Sequence, residues 1–224
     1  MIRRIVKEET IKNERKKAII CTAVCENPED VKLGDYDFCV AADGGLEIAK
    51  SLGLKVDLCI GDMDSLGHMP DMEYVKLPCE KDMTDTESAV DYCVDKGYRD
   101  ITILGGLGKR FDHTMANLAV LGKYCNMYYG NVSIRLIDGL NYVEMKMPGE
   151  YEIDRSEFDL AGYHYLGLVS YDLVSGLSLD GTKYIVKNYS LDKETSQGIS
   201  NEIVGDCAKI TFEEGRLLFI FSKK

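Results

Sequence analysis

The sequence predicts an α/β fold in two parts: a mostly parallel sheet with its helices over residues 1–140, followed by an all-β sandwich over residues 141–224. Up to Asp138, short β-branched or apolar runs alternate with segments whose apolar residues recur at helical spacing, which is the pattern of a doubly wound, Rossmann-like sheet. Most of these runs end in loops rich in Asp and Gly. From Asn141 onward only short strand-like runs remain, divided by Gly, Asp, Asn and Ser. A single α+β domain is the blunter alternative.

Taken in order, Met1 to Lys17 is a polar leader and Ala18 to Val24 a buried strand, broken by Asn27-Pro28-Glu29-Asp30. Phe38 to Ala42 is the next strand. It ends in Asp43-Gly44-Gly45, after which Leu46, Ile48, Ala49 and Leu52 have helical spacing until Gly53. The glycine pair reads as a tight turn that also lets a ligand approach the backbone beside Asp43. Val56 to Ile60 is a buried strand, turned by Gly61 and ending in Asp62-Met63-Asp64-Ser65. Tyr74 to Leu77 is a short strand closed by Pro78. In Lys81-Asp82-Met83-Thr84-Asp85-Thr86-Glu87, Thr84 and Glu87 have capping-box spacing for a helix over Ser88 to Gly97 that buries Ala89, Val90, Cys93 and Val94.

Ile101 to Leu104 leads into Gly105-Gly106-Leu107-Gly108-Lys109-Arg110-Phe111-Asp112-His113 and a helix carrying Met115, Leu118, Ala119 and Leu121. The plain reading is a glycine loop before a helix capped by Asp112. The loop is neither a Walker loop, because Arg110 follows Gly108-Lys109 where Ser or Thr is needed, nor a Gly-x-Gly-x-x-Gly fingerprint. Ile134 to Asp138 closes the alternation. Tyr142 to Met147, Tyr151 to Ile153, Tyr163 to Ser170, Leu173 to Leu179, Tyr184 to Val186, Cys207 to Phe212 and Leu217 to Phe221 are the strands of the second part.

Composition narrows the function. The net charge of −11 argues against a nucleic-acid or anionic-membrane surface, so an anionic substrate would need metal. Eight cysteines without a Cys-x-x-Cys pair suit a reduced, cytoplasmic protein better than a disulfide framework. The leader mixes basic and acidic residues, and Glu26 interrupts the apolar run from Ala18, which does not read as a signal peptide. No apolar stretch approaches the roughly 20 residues that span a bilayer.

Asp62 and Asp64 carry the chemistry most directly. Two carboxylates at a strand end repel each other unless a cation or several donors sit between them. Mg²⁺ takes one or two protein carboxylates together with phosphate oxygens, so the pair points to a metal-phosphate site, against the plain alternative of a solvated turn capped by Ser65. The helix start near Thr84, with Lys81 upstream, is also a natural place for a phosphate. His113 alone reads as a packed or capping histidine.

Together, Asp43-Gly44-Gly45, Gly61 to Ser65, Lys81 to Glu87 and Gly105 to His113, in this order, resemble the thiamine pyrophosphokinase family, as do Gly176 to Gly181 before Lys183-Tyr184 and the triplet Ser200-Asn201-Glu202. The resemblance implies pyrophosphoryl transfer from ATP to the hydroxyethyl group of thiamine, giving thiamine diphosphate and AMP. It implies Mg²⁺ on Asp62, Asp64 and Asp85, with Asp43 and Arg110 among the catalytic residues. It places Asp43, Gly44, Lys81, Thr84, Asp85, Arg110, Asp112 and His113 around ATP, puts Ser200 and Asn201 on thiamine, and implies a homodimer with composite sites. Lys109 departs from the pattern, standing where the family often has another glycine. Cys21-Thr22-Ala23-Val24-Cys25 replaces a glycine-containing turn. With no tryptophan, a stacked thiamine ring needs Tyr, Phe or an aliphatic side chain. The rivals are a pyrophosphokinase for another heterocycle, such as a hydroxymethylpterin, and a non-catalytic nucleotide or thiamine sensor.

Overall fold

The computed structural model describes residues 2–4, 15–62, 71–78, 80 and 82–224. The elements run in chain order β1 (Ile2–Arg4), β2 (Lys17–Cys21), β3 (Phe38–Ala42), α1 (Gly45–Ser51), β4 (Leu58–Gly61), β5 (Tyr74–Lys76), α2 (Asp85–Asp95), β6 (Asp100–Leu104), α3 (Phe111–Met127) and β7 (Ser133–Ile137). They continue as β8 (Asn141–Lys146), β9 (Gly149–Asp154), α4 (Arg155–Leu160), β10 (Tyr165–Ser170), β11 (Val174–Asp180), β12 (Val186–Leu191), β13 (Cys207–Phe212) and β14 (Leu217–Ser222). One compact unit is Glu14–Gly139, and the other joins Leu140–Lys224 to the N-terminal strand.

In the first unit the strand order is β7-β6-β2-β3-β4-β5, and every neighbouring pair is parallel. The chain builds outward from β2 to β5, then returns to place β6 on the other side of β2, so the sheet reverses its order between β2 and β6. A crevice opens at the carboxyl ends of the strands at such a point. Ile20, Val40, Ile60, Ile101, Ile103 and Leu136 are buried in these strands, as continuous apolar runs covered on both faces must be. Cys21, Cys39, Cys59 and Cys93 are buried with them and behave as small hydrophobes; burial pushes the Cys93 thiol up to about 12.

Helix α2 follows the expected register, burying Ala89, Val90, Cys93 and Val94. Its box is half made: Thr84 Oγ1 accepts the amide of Glu87 at 3.1 Å, but the Glu87 carboxylate pairs with Lys123 Nζ at 2.9 Å. In α3 the buried stripe is Asn117, Val120, Leu121, Tyr124 and Cys125, which leaves Met115 and Ala119 exposed, contrary to the apolar face expected from sequence. A polar Asn at the centre of the stripe hid its phase. The helix starts after Arg110, so Asp112 lies in the first turn and is not its cap.

The second unit is antiparallel, with ladders in the orders β1-β9-β13-β11-β12 and β10-β14-β8. Strand pairing over the chain is therefore mixed rather than mostly parallel. Tyr151 of β9 meets Phe219 of β14 edge-on at 5.4 Å between ring centroids. The expectation of an all-β part fails at α4, where Asp154 accepts the amides of Ser156 and Glu157 and Phe158 is buried against Phe221. Six residues are too few to show a helical period. Ile2–Arg4, read from sequence as leader, pairs with Tyr151 to Ile153, and the strand expected over Tyr184 to Val186 runs instead over Val186–Leu191. Among the described residues no helix is long and apolar enough to cross a membrane.

Gly45 begins α1 where a β-carbon would lie 1.9 Å from the Cys21 carbonyl oxygen. Backbone cannot yield as a side chain can, so Gly45→Ala is expected to destabilise the fold by about 3 kcal/mol. Urea unfolding checks this, and a wild-type midpoint would mean that α1 can move off β2.

Candidate active site

The crevice between β2 and β6 is a cleft of about 430 Å³ whose wall includes Thr22, Val24, Asp43, Thr84, Asp85 and Lys109, with Arg110, His113 and Asn117. Each side chain arrives by a simple route. Thr22 to Val24 continue from β2, Asp43 from β3, and Gly106 to Arg110 from β6, while Thr84 and Asp85 open α2 and His113 and Asn117 stand on α3. Five residues expected from sequence, Asp43, Thr84, Asp85, Arg110 and His113, thus share one wall. Gly44 forms the turn into α1 and Asp62 is half-buried after β4, and neither belongs to that wall; Asp64 and Lys81 lie outside the described residues.

The glycine loop is shaped by contact with β2. Gly106 N–H donates to the Val24 carbonyl at 2.8 Å and Gly105 N–H to the Ile137 carbonyl at 2.7 Å. Gly105 has φ +87° and a β-carbon there would lie 2.0 Å from the Val24 oxygen, so no other residue fits. Asn117 Nδ2 donates to the Gly106 carbonyl at 2.8 Å, fastening the loop to α3. Thr22 and Asn117 were missed in the sequence; an amide inside an otherwise apolar helical stripe was the available clue to the second.

Asp43 has φ +47°, and its Oδ1 is buried with no hydrogen-bond partner among the described residues. Gly61 permits this approach, because a β-carbon on it would lie 3.1 Å from both Cα and Cβ of Asp43. Arg110 forks onto Asp112, Nε to Oδ1 at 3.2 Å and Nη2 to Oδ2 at 2.6 Å, and this hydrogen-bonded guanidinium holds the Asp112 carboxyl below the usual carboxylate range. Both side chains are exposed, so the pair is easily exchanged for a ligand. Among the described residues, no three His, Cys, Asp or Glu side chains form a metal cluster. The donor set nonetheless fits Mg²⁺, which needs only one or two protein carboxylates beside phosphate oxygens, and the orphaned Asp43 oxygen is a hard donor in want of a partner.

The second unit has its own apolar concavity of about 310 Å³, lined by Leu168, Leu177, Tyr184, Tyr189, Ile199 and Asn201 among others. Asn201 is buried. Its Oδ1 accepts the amides of Tyr184 and Glu202, each at 2.9 Å, and its Nδ2 donates to the Tyr184 carbonyl at 2.9 Å. Ser200 is exposed at φ +57° and is not in the lining.

By fold and site, the chain is an α/β protein with a cleft lined by acids, cations and a glycine loop at the switch point of its parallel sheet. Residues 32–134 match the family model for the catalytic domain of thiamin pyrophosphokinase, and residues 150–217 match the model for its vitamin B1 binding domain. The chain belongs to the thiamin pyrophosphokinase family. It is similar to the thiamine pyrophosphokinase of Bacillus subtilis, 29% identical over 196 residues that cover 84% of this chain and 88% of that protein. It is 28% identical to thiamin pyrophosphokinase 1 of Caenorhabditis elegans over 73% of this chain and 70% of that one. The crystal structure of a thiamin pyrophosphokinase family protein from Enterococcus faecalis superposes with a TM-score of 0.79 at 27% identity, covering 93% of this chain and 99% of that one.

Asn117→Ala removes the donor to the Gly106 carbonyl and is expected to lower stability by about 1–2 kcal/mol, read as the shift in urea midpoint. An unchanged midpoint would show that the carbonyl finds another donor.

Proposed function

We propose that the chain transfers a pyrophosphoryl group from ATP to the hydroxyethyl oxygen of thiamine, giving thiamine diphosphate and AMP. The observation that carries this reading is the switch-point cleft, most of whose lining, from Ala42 to Asn117, falls in the segment that matches the family's catalytic domain. In the reaction the thiamine hydroxyl oxygen attacks the β-phosphorus, the bond from that phosphorus to the oxygen bridging to the α-phosphorus breaks, and AMP leaves with that oxygen. Little covalent work falls to the protein; it must hold donor and acceptor in line and neutralise the phosphate oxygens. In this reading Thr84, at the start of α2, and Arg110, Asp112 and His113, at the start of α3, surround the nucleotide, with Lys81 a further member of the set. Asp43, through its uncommitted oxygen, and Asp62, Asp64 and Asp85 would hold Mg²⁺. When bound, the metal offsets polyphosphate charge and screens these carboxylates from it.

Thiamine is assigned to the apolar concavity, where Tyr184 replaces the absent tryptophan as the ring that faces a cationic heterocycle, with Asn201 in the lining and Ser200 preceding it in the chain. The match over 150–217 favours thiamine over a hydroxymethylpterin. The retained acids favour an enzyme over a sensor. The chain acts as a homodimer with composite sites in this reading, in the cytoplasm, where its seven described free cysteines stay reduced.

An assay of AMP release with ATP, Mg²⁺ and thiamine tests the reaction; release with a hydroxymethylpterin but not thiamine would transfer the assignment, and binding without release would make the chain a sensor. Asp85→Asn is expected to reduce kcat by about two orders of magnitude with folding retained, as for loss of a transition-state electrostatic contact. Near wild-type turnover would remove Asp85 from the metal site.

Tyr184→Ala is expected to raise KM for thiamine roughly tenfold and leave KM for ATP in place. Mixed and exchanged Asp85→Asn and Tyr184→Ala chains, assayed at thiamine well below the wild-type KM where the first parent is nearly silent and the second about tenfold slow, should exceed both parents if each site draws on two subunits. Exchanged heterodimers no more active than Tyr184→Ala under those conditions, or a monomer by sedimentation, would overturn the composite site.

A further inference from the structure

Lys109 is the one lysine placed by the described residues on the wall of the switch-point cleft, and its backbone is strained there. Its φ is +41°, in the left-handed region that favours glycine, directly after Gly108 at φ +80°. Asn and Asp tolerate that region through hydrogen bonds from their short side chains to nearby backbone; a lysine has no such compensation. The loop around it otherwise uses glycine for this purpose, with Gly105 at φ +87° and Gly106 at φ +78°. A glycine at 109 would relieve the loop, so the lysine has to be explained by what its side chain does.

The charges on the wall supply the explanation. Asp43 and Asp85 contribute two carboxylates, and Lys109 and Arg110 the two permanent cations among the described lining residues. Arg110 is already engaged by Asp112 through two of its nitrogens. Lys109 is exposed and has no hydrogen bond or ion pair among the described residues. On a chain of net charge −11, an uncompensated ammonium on the wall of this cleft offers a polyanion a positive contact. Strain kept at a ligand cleft, in a residue whose charge is left free, is the signature of a binding role.

We propose that Lys109 is a substrate-binding residue that contacts the polyphosphate of ATP, and that its left-handed backbone is retained because it aims the ammonium into the cleft. The assignment rests on the nucleotide reading of the cleft. It divides the labour of the two neighbouring cations: Lys109 meets the phosphate chain as a point charge, and Arg110 exchanges its fork from Asp112 to phosphate oxygens once the chain has entered.

The test compares wild type with Lys109→Gly, Lys109→Met and Lys109→Arg, in steady-state kinetics and in calorimetric binding of inorganic tripolyphosphate, which carries the phosphate chain without base or ribose. Lys109→Gly is expected to keep its Tm or raise it by about 2 °C while KM for ATP rises roughly tenfold, KM for thiamine stays in place and tripolyphosphate affinity falls by a similar factor. Lys109→Met, which keeps the strain and loses the charge, should share the ATP defect, and Lys109→Arg should recover most of it. A Lys109→Gly protein with wild-type KM for ATP and wild-type tripolyphosphate affinity overturns the assignment, as does a defect spread equally over ATP and thiamine. A wild-type chain that makes no AMP with thiamine sinks the functional reading alone, since the tripolyphosphate comparison still decides the role of Lys109.

Discussion

Val24 accepts the amide of Gly106 at 2.8 Å, and its carbonyl oxygen occupies the space that a β-carbon on Gly105 would need. The cleft depends on this contact. Parallel strands on either side of a switch point send their following chains in opposite directions, and the crevice between them has no fixed width unless something spans it. Here the backbone of the glycine loop is pinned to the chain leaving β2, and Asn117 pins the same loop to α3 from behind. The positions of Arg110 and His113, and of Lys109 before them, follow from that anchorage, because all three continue from a loop held at both faces.

The second constraint is electrostatic. Two acids with buried oxygens, Glu144 and Asp43, contrast in how those oxygens are satisfied. Glu144 is buried yet satisfied, receiving the Tyr142 hydroxyl on one oxygen and Lys146 Nζ at 2.5 Å on the other, the arrangement of a group whose work is structural. Asp43 has a buried oxygen without a partner among the described residues and a backbone in the left-handed region. Both features cost stability, and such costs cluster at ligand and cation sites. The two carboxylates differ in burial, Asp43 being half-buried, and above all in partners, which Glu144 has on both oxygens and the buried Asp43 oxygen lacks among the described residues.

Much of this was legible in the sequence, for physical reasons that differ from element to element. Strands β2, β3, β4 and β6 were readable because strands covered on both faces must be continuously apolar, and α2 because its buried face has an unbroken 3.6-residue period. The face of α3 was not, since Asn117 sits at the centre of its buried stripe and Met115, which is apolar, faces water. β1 and α4 were too short to show any period. Glycine loops announced where a site would be, but which glycines meet backbone and which merely turn could not be read: Gly53 has open space around it, and Gly45 has 1.9 Å.

In the triplet Ser200-Asn201-Glu202, two of the three side chains are committed to contacts around Tyr184. An exposed serine and an amide side chain suggest direct donors and acceptors for a pyrimidine. Instead the Asn201 amide closes a two-way pairing with the backbone of Tyr184, imitating a strand partner, and Glu202 draws Lys183 to 2.6 Å, which sets that ammonium 5.7 Å from the centre of the Tyr184 ring. Both residues therefore act on Tyr184, fixing its backbone and occupying its neighbourhood with charge. An incoming cationic ring would compete with Lys183 for the same aromatic face, so Glu202, by holding Lys183, adjusts how much the tyrosine has left to offer. Asn201 and Glu202 thus brace Tyr184 at the apolar concavity, one through its backbone and the other through the neighbouring Lys183.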